Sequence, residues 1–161
     1  MVDNIALGLA KADQANATSY QANATQYKAQ IDTMAIQIKA QLDTIPAANR
    51  KLVTNHDALG YFIEEFGLTF VGSVIPSMDS AAEPSAKEIQ ELVNKIKEQK
   101  VKAIFTETSI NPKLAEQISQ EAGVKIFSNL YGDSLGESGS EGDTYLKMML
   151  SNTKNIVTGL K

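Results

Sequence analysis

The chain has 161 residues, 43% of them hydrophobic and 21% charged, so it can form one domain with a sizeable core. Its formal charge of -4 and pI near 5.0 give no electrostatic reason to expect nucleic acid, which needs clustered Lys and Arg. The absence of cysteine excludes disulfides, thiolate zinc sites and a cysteine nucleophile. Because no apolar stretch reaches about 18 residues and the start lacks basic residues, we expect neither a membrane span nor a signal peptide.

The first 46 residues are predicted to form two helices. One covers Val2 to Lys11, and a long amphipathic helix covers Ala15 to Ile45, with Asp13 and Asn16 as caps at the break between them. Pro46 ends the second helix. Its apolar residues recur at spacings of three and four, which predicts packing against a sheet rather than a free coiled coil. This stripe consists of Tyr20, Ala24, Tyr27, Ile31, Met34, Ile38, Leu42 and Ile45.

The remainder alternates between strand and helix patterns, which places a domain boundary between linking helices over residues 1–46 and an α/β lobe over residues 47–161. Strands are predicted at Leu52 to Thr54, Leu68 to Val74, Val101 to Thr106 and Val124 to Phe127. Helices are predicted at Ala58 to Phe66, Ser85 to Lys100, Asn111 to Ala122 and Asp143 to Leu160. The alternation predicts an α/β fold with a four-stranded parallel sheet and helices on both faces.

The pattern also predicts helix ends and the buried face of the last helix. Gly67 and Gly123 are predicted as the C-terminal stops of their helices. Asp143 is predicted to cap the last helix. The residues expected to face inward from that helix are Tyr145, Met149, Ile156 and Leu160.

Polar side chains follow three of the four predicted strands. His56, the only histidine, follows the first strand, Glu107 the third and Asp133 the fourth. Because ligands of open α/β sheets bind outside the carboxyl ends of the strands, these three side chains should share one rim. Imidazole with carboxylate oxygen is the ligand set of zinc, manganese and ferrous iron rather than calcium or magnesium. The second strand contributes only a loop with Ser77, Met78 and Asp79.

The rim residues could instead serve one of three other functions: a hydrolase, a nucleotide-binding site or an interaction module that binds no metal. A hydrolase would need a serine on a sharp strand-to-helix turn, but the Gly136 to Ser140 stretch has the wrong spacing and follows no strand directly. No Gly-rich phosphate loop opens a helix, so nucleotide binding has no support, and we expect no enzyme. A non-metal interaction or adhesion module is the alternative, with His56 capping the helix that follows it and the rim carboxylates solvated.

Three segments resemble a known family: KLVTNHDALGY at 51–61, IFTETSINPKL at 104–114, and NLYGDSLGESGSEGDTYLKMMLSNTKNIVTGL at 129–160. They resemble the carboxyl-terminal lobe of the cluster-nine solute-binding proteins, the extracytoplasmic zinc- and manganese-binding subunits of bacterial ABC importers, some of them called adhesins. The resemblance covers essentially the whole chain. It implies two α/β lobes joined by a long helix, with two ligands from each lobe around one metal ion.

The resemblance also implies roles for individual residues. His56 matches the first ligand of the second lobe, which is glutamate in many manganese binders, and Asp133 matches the terminal aspartate ligand. Glu107 matches an acidic position beside the site that supports a ligand without touching the metal. The implied function is capture of a divalent metal for the importer's permease, with zinc favoured by the histidine at 56 and manganese possible.

The resemblance further implies a setting outside the cytoplasm, periplasmic or membrane-anchored in a full-length relative. Relatives also carry a signal peptide and an amino-terminal lobe with two further histidines, so we expect a chain with half of the metal site and weaker metal binding. We expect Gly132, Gly136, Gly139 and Gly142 to make the Asp133 loop the most flexible part of the rim, and its movement to release the ion.

The surface that the missing amino-terminal lobe would cover should be partly exposed here. It comprises the first-helix stripe Val2, Ile5 and Leu9 and the rim near Tyr131 and Leu135. Exposed apolar surface of this kind favours association, and we expect a homodimer or a swapped assembly through the first helix.

Overall fold

The computed structural model describes residues 1–75 and 84–161, so the predicted loop with Ser77, Met78 and Asp79 lies outside the described residues. Its helices are α1 (Val2–Ala12), α2 (Ala17–Leu42), α3 (Gly60–Phe66), α4 (Ala86–Glu98), α5 (Lys113–Ala122) and α6 (Tyr145–Leu160). Its strands are β1 (Lys51–Thr54), β2 (Thr69–Ser73), β3 (Ala103–Glu107) and β4 (Lys125–Leu130). Over these described residues, no helix is long and apolar enough to cross a membrane.

The chain forms two compact units, Met1–Gln37 and Ile38–Lys161, which divide within α2. The boundary at residue 46, expected from the change in sequence pattern, stays a prediction. The apolar stripe of the long helix is buried or half-buried along its length. Its last members, Ile38, Leu42 and Ile45, are fully buried in the second unit.

The first unit contains α1 and most of α2, and the predicted break between the helices is confirmed. A short 3-10 turn, Gln14–Asn16, separates them. The predicted caps act differently from expectation, because the Asp13 carboxylate accepts from Asn16 Nδ2 at 2.7 Å and from the Tyr20 hydroxyl at 2.9 Å instead of from the backbone. These two hydrogen bonds lower the pKa of Asp13.

The second unit is built on a four-stranded sheet in the order β2-β1-β3-β4, with every pair parallel. The predicted parallel sheet is therefore confirmed. After β2 the chain crosses to the other side of β1, so the strand order reverses between β1 and β3. Thr54 and Phe105 are register partners there. Residues that follow β1 and β3 are consequently neighbours at the switch point, where open α/β sheets bind ligands.

Both faces of the sheet are covered by helices, as predicted. On one face, Val53 of β1 and Ile104 of β3 pack with buried residues of α4 and α5. On the other face, Phe105 stacks on Phe127 with ring centroids 5.6 Å apart, and Gly159 of α6 lies against both rings. Burial on both faces explains why β3 is buried at every position.

The predicted stops of α3 and α5 are confirmed. Gly67 and Gly123 take left-handed backbone conformations, with φ of 66° and 71°, directly after the last helical residue. Residues with a Cβ adopt this conformation at a cost, which is why glycine marks a helix end.

The predicted cap of α6 is wrong by one residue. Thr144 is the N-cap, and its hydroxyl accepts from the backbone N–H of Lys147 at 3.3 Å. Asp143 instead accepts from the backbone N–H of Gly139 at 3.0 Å and pairs with the Lys147 ammonium at 2.8 Å. The acidic side chain therefore closes the preceding loop, because that loop brings its own N–H within reach.

The predicted inward face of α6 is half correct. Ile156 and Leu160 are fully buried, whereas Tyr145 is 42% exposed and Met148, rather than Met149, is the buried methionine of the first turns. The helix begins at Tyr145 rather than Asp143, so Tyr145 is its first residue.

Candidate metal centre

His56 is held immediately beyond the end of β1. The backbone N–H of Asn55 donates to the Phe105 carbonyl at 3.0 Å, and the Asn55 carbonyl accepts from Ile75 at 2.7 Å, so pairing to both neighbouring strands continues past Thr54. The buried Thr54 hydroxyl donates to the His56 carbonyl at 2.7 Å. His56 itself is 6% exposed. Thr54 was not among the predicted site residues, although a polar residue that closes an apolar strand is a signal for such a role.

Glu107 is the last residue of β3 and lies beside His56 as the strand order dictates. Its Oε1 is 2.7 Å from His56 Nδ1, but the angle at Nδ1 is not that of a hydrogen bond. The residue is 5% exposed. The pKa of Glu107 is raised, chiefly by burial and also by the negative charge of Asp133, against the opposing effects of His56 and of the backbone N–H of Asp133. A Cβ at Gly132 would collide with the Glu107 carboxylate, so only glycine leaves room for it there.

Asp133 reaches the same histidine from the loop after β4. Its Oδ2 is 3.5 Å from His56 Nε2, and its side chain is 79% exposed. The prediction that His56, Glu107 and Asp133 meet on one rim is therefore confirmed. The imidazole lies between a buried carboxylate at Nδ1 and an exposed one at Nε2.

His56, Glu107 and Asp133 are neighbours, but they do not form one cluster of three metal ligands. Within residues 1–75 and 84–161, no three His, Asp or Glu side chains converge on one point that could hold a metal ion. Because Nδ1 lies 2.7 Å from the buried Glu107 carboxylate, that contact favours a proton on Nδ1 and a lone pair on Nε2, beside Asp133. His56 Nε2 and the Asp133 carboxylate, 3.5 Å apart, are therefore the two candidate donor groups on the rim.

Fold and site together define an α/β lobe with a candidate site at the switch point of a parallel sheet, where imidazole and carboxylate groups of the kind that suit a transition metal lie together. The chain belongs to the family described as ZnuA, zinc-uptake complex component A, periplasmic, which matches residues 1–159. The resemblance seen in the sequence is confirmed by this match.

Individual relatives differ in the metal that their names carry. The chain is 31% identical over 157 residues to PsaA of Streptococcus pneumoniae, a manganese ABC transporter substrate-binding lipoprotein, covering 98% of this chain and 50% of that protein. It is 29% identical, with the same coverage, to MtsA of Streptococcus pyogenes, an iron ABC transporter substrate-binding lipoprotein. The chain thus spans half the length of these curated relatives.

A solved structure supports the same relationship. The periplasmic zinc binding protein TroA from Treponema pallidum superposes with a TM-score of 0.89 at 30% sequence identity, over 98% of this chain and 58% of that one. Relatives of the chain are therefore substrate-binding proteins for zinc, manganese and iron, and several are lipoproteins of ABC transporters.

Proposed function

We propose that this chain is the metal-binding lobe of an extracytoplasmic substrate-binding protein that captures a divalent transition metal for an ABC importer. The observation that carries the proposal is the His56 ring, with Nε2 3.5 Å from Asp133 and Nδ1 2.7 Å from the buried Glu107. Capture and delivery need no bond-making step, so the chain acts as a carrier and not as an enzyme. Its setting is periplasmic or membrane-anchored, as the names of its relatives suggest.

His56 and Asp133 are the proposed ligands, and Glu107 is the proposed support for His56. A carboxylate on the second ring nitrogen orients the imidazole and makes its free nitrogen a better donor. A four-coordinate ion held by these two residues lacks two further ligands. Water or groups outside the described residues complete the coordination, so this lobe supplies half of the site.

Zinc is the favoured ion, with manganese second. Imidazole nitrogen suits zinc, and the general affinity order places zinc above manganese for a given nitrogen and oxygen site. The two ligands differ in mobility, because His56 is buried on the sheet whereas the Asp133 side chain is largely exposed on its loop. Release to the importer therefore begins with withdrawal of Asp133 while His56 stays in place.

Pairing of two copies through α1 is a further part of this proposal. Ile5 and Leu9 are 56% and 45% exposed, and they line an apolar groove between α1 and α2 together with Tyr20 and Tyr27. Leu135 on the metal rim is also exposed. Light scattering of the chain at rising concentration, with and without zinc, tests the pairing, and a strict monomer throughout would contradict it.

The metal site is tested by competition titration of Zn²⁺ and Mn²⁺ against a chromophoric chelator. His56→Ala and Asp133→Ala should each abolish measurable zinc binding, because one remaining ligand cannot hold the ion. Asp57→Ala removes an exposed carboxylate next to His56 and is the matched control, which should bind zinc like the unaltered chain. Zinc binding that survives in both ligand variants would refute the proposed site.

A further inference from the structure

Asn152 is a buried amide on α6 that holds the backbone of Tyr131 just past the end of β4. Its Oδ1 accepts from the Tyr131 N–H at 2.9 Å, and its Nδ2 donates to the Tyr131 carbonyl at 2.7 Å. The residue is 3% exposed. Because buried polar groups are costly to leave unpaired, this two-point contact holds Tyr131 firmly against α6.

The Tyr131 ring in turn shapes the loop that carries Asp133. A Cβ added at Gly136 or at Gly142 would lie 2.8 Å or 2.5 Å from the ring, so both glycines are in close contact with it. The Gly136 N–H also donates to the Gly142 carbonyl at 2.9 Å and closes the loop. The Tyr131 ring therefore packs against Gly136 and Gly142, the two ends of this closed loop, and Asn152 holds the backbone that carries the ring.

We propose that Asn152 is a positioning residue for the metal site, which keeps Asp133 at the distance from His56 where both can bind one ion. The inference rests on the proposed function, in which Asp133 is a ligand. Asp133 comes two residues after Tyr131, and its side chain is exposed, so its place depends on the backbone that carries it. Asn152 acts through Tyr131 and does not touch the ion.

The experiment compares Asn152→Ala with Asn155→Ala on the same helix. Asn155 Nδ2 also donates to a backbone carbonyl, that of Asn129 at 3.0 Å, but this contact lies before the Asp133 loop. Asn152→Ala should weaken Zn²⁺ binding by about tenfold or more, the usual effect of losing a support of a metal ligand. Asn155→Ala should leave zinc affinity unchanged. Circular dichroism and urea unfolding establish that each variant is folded, and Asn152→Ser replaces Asn152→Ala if the latter is not.

A double-mutant cycle separates positioning from general destabilisation. In an Asp133→Asn background, which weakens the ligand, Asn152→Ala should cost little further affinity, because its effect passes through Asp133. Visible absorption of bound Co²⁺ should also change in Asn152→Ala, since the ligand geometry changes, and stay constant in Asn155→Ala.

The outcomes also distinguish the two proposals. A folded Asn152 variant with unchanged zinc affinity, while His56→Ala and Asp133→Ala lose binding, would overturn the positioning role alone. An Asn152→Ala loss that is equally large with and without the Asp133→Asn substitution would overturn it as well. Zinc binding that survives His56→Ala and Asp133→Ala would overturn the proposed function and this inference together.

Discussion

Glu107 is a buried carboxylate beside His56, the first of the two proposed metal ligands. It is 5% exposed and lies 2.7 Å from the ring nitrogen of His56 that faces away from Asp133. A carboxylate in this place fixes the tautomer and the orientation of the imidazole. The cost of burying it, seen in its raised pKa, is the kind of local compromise expected at a functional site.

Replacing Glu107 by glutamine removes the negative charge of the side chain and keeps its size, so it tests whether the charge contributes to zinc affinity. Glu107→Gln should weaken zinc binding by about tenfold to a hundredfold, because a neutral amide supports the imidazole less than a carboxylate does. Glu141→Gln is the control, since it neutralises an exposed carboxylate that pairs only loosely, at 3.5 Å, with Lys154. Chelator competition measures both affinities, and equal affinity in the two variants would show that the Glu107 charge plays no part.

At the scale of secondary-structure elements, α4 begins with a complete capping box. The Ser85 hydroxyl accepts from the Glu88 N–H at 3.3 Å, while the Glu88 carboxylate accepts from the Ser85 N–H at 2.8 Å and from its hydroxyl at 2.7 Å. These hydrogen bonds lower the pKa of Glu88. Ser85→Ala should therefore lower the free energy of unfolding by about 1 kcal/mol in urea titrations at neutral pH.

The contribution of Glu88 to stability should depend on pH in a defined direction. A carboxylate with a lowered pKa stabilises the fold above its ordinary pKa of about 4.3, and this stabilisation is lost as the pH falls through the folded-state value. The difference in unfolding free energy between the unaltered chain and Glu88→Gln should therefore be present at neutral pH and shrink on acidification. A difference that stays constant down to low pH would contradict the capping role.

Two helical glycines should respond to alanine with opposite signs. Alanine favours a helix over glycine by about 1 kcal/mol. At Gly159 in α6, however, a Cβ would lie 2.7 Å from the fully buried Phe105 ring, and overpacking of a core costs about 1–3 kcal/mol. Gly8 in α1 has no atom within 4 Å of an added Cβ. Urea unfolding should show Gly159→Ala destabilised and Gly8→Ala stabilised, and stabilisation of both would mean that α6 packs loosely.

At the scale of the whole molecule, the number of protein ligands limits metal affinity. The proposed site has two ligands, and no group of three or more His, Asp or Glu side chains that could hold a metal ion lies within the described residues, whereas a closed zinc site has four ligands. This chain should bind zinc at least about a hundredfold more weakly than full-length TroA in the same competition assay. Equal affinity for the two proteins would show that this chain completes a four-ligand site on its own or with a second copy.

The sequence by itself determined the α/β class and the candidate residues of the site. Alternating apolar runs and amphipathic stretches follow from local backbone geometry, because a buried strand and a half-buried helix need different spacings of apolar side chains. For the same reason, His56, Glu107 and Asp133 could be recognised as residues at or beyond the carboxyl ends of strands, although Glu107 is itself the last residue of β3. Gly67 and Gly123 marked helix ends because a left-handed residue favours glycine wherever it occurs.

Only the tertiary structure decided how these pieces meet. The order β2-β1-β3-β4 places His56 beside Glu107, and nothing local to either strand specifies that neighbour. The Asn152 contact joins residues that are 21 positions apart, and the Thr144 cap depends on where the preceding loop places Asp143. Contacts of this kind arise from packing between distant segments, whose free energy depends on the whole fold and is absent from any single stretch of sequence.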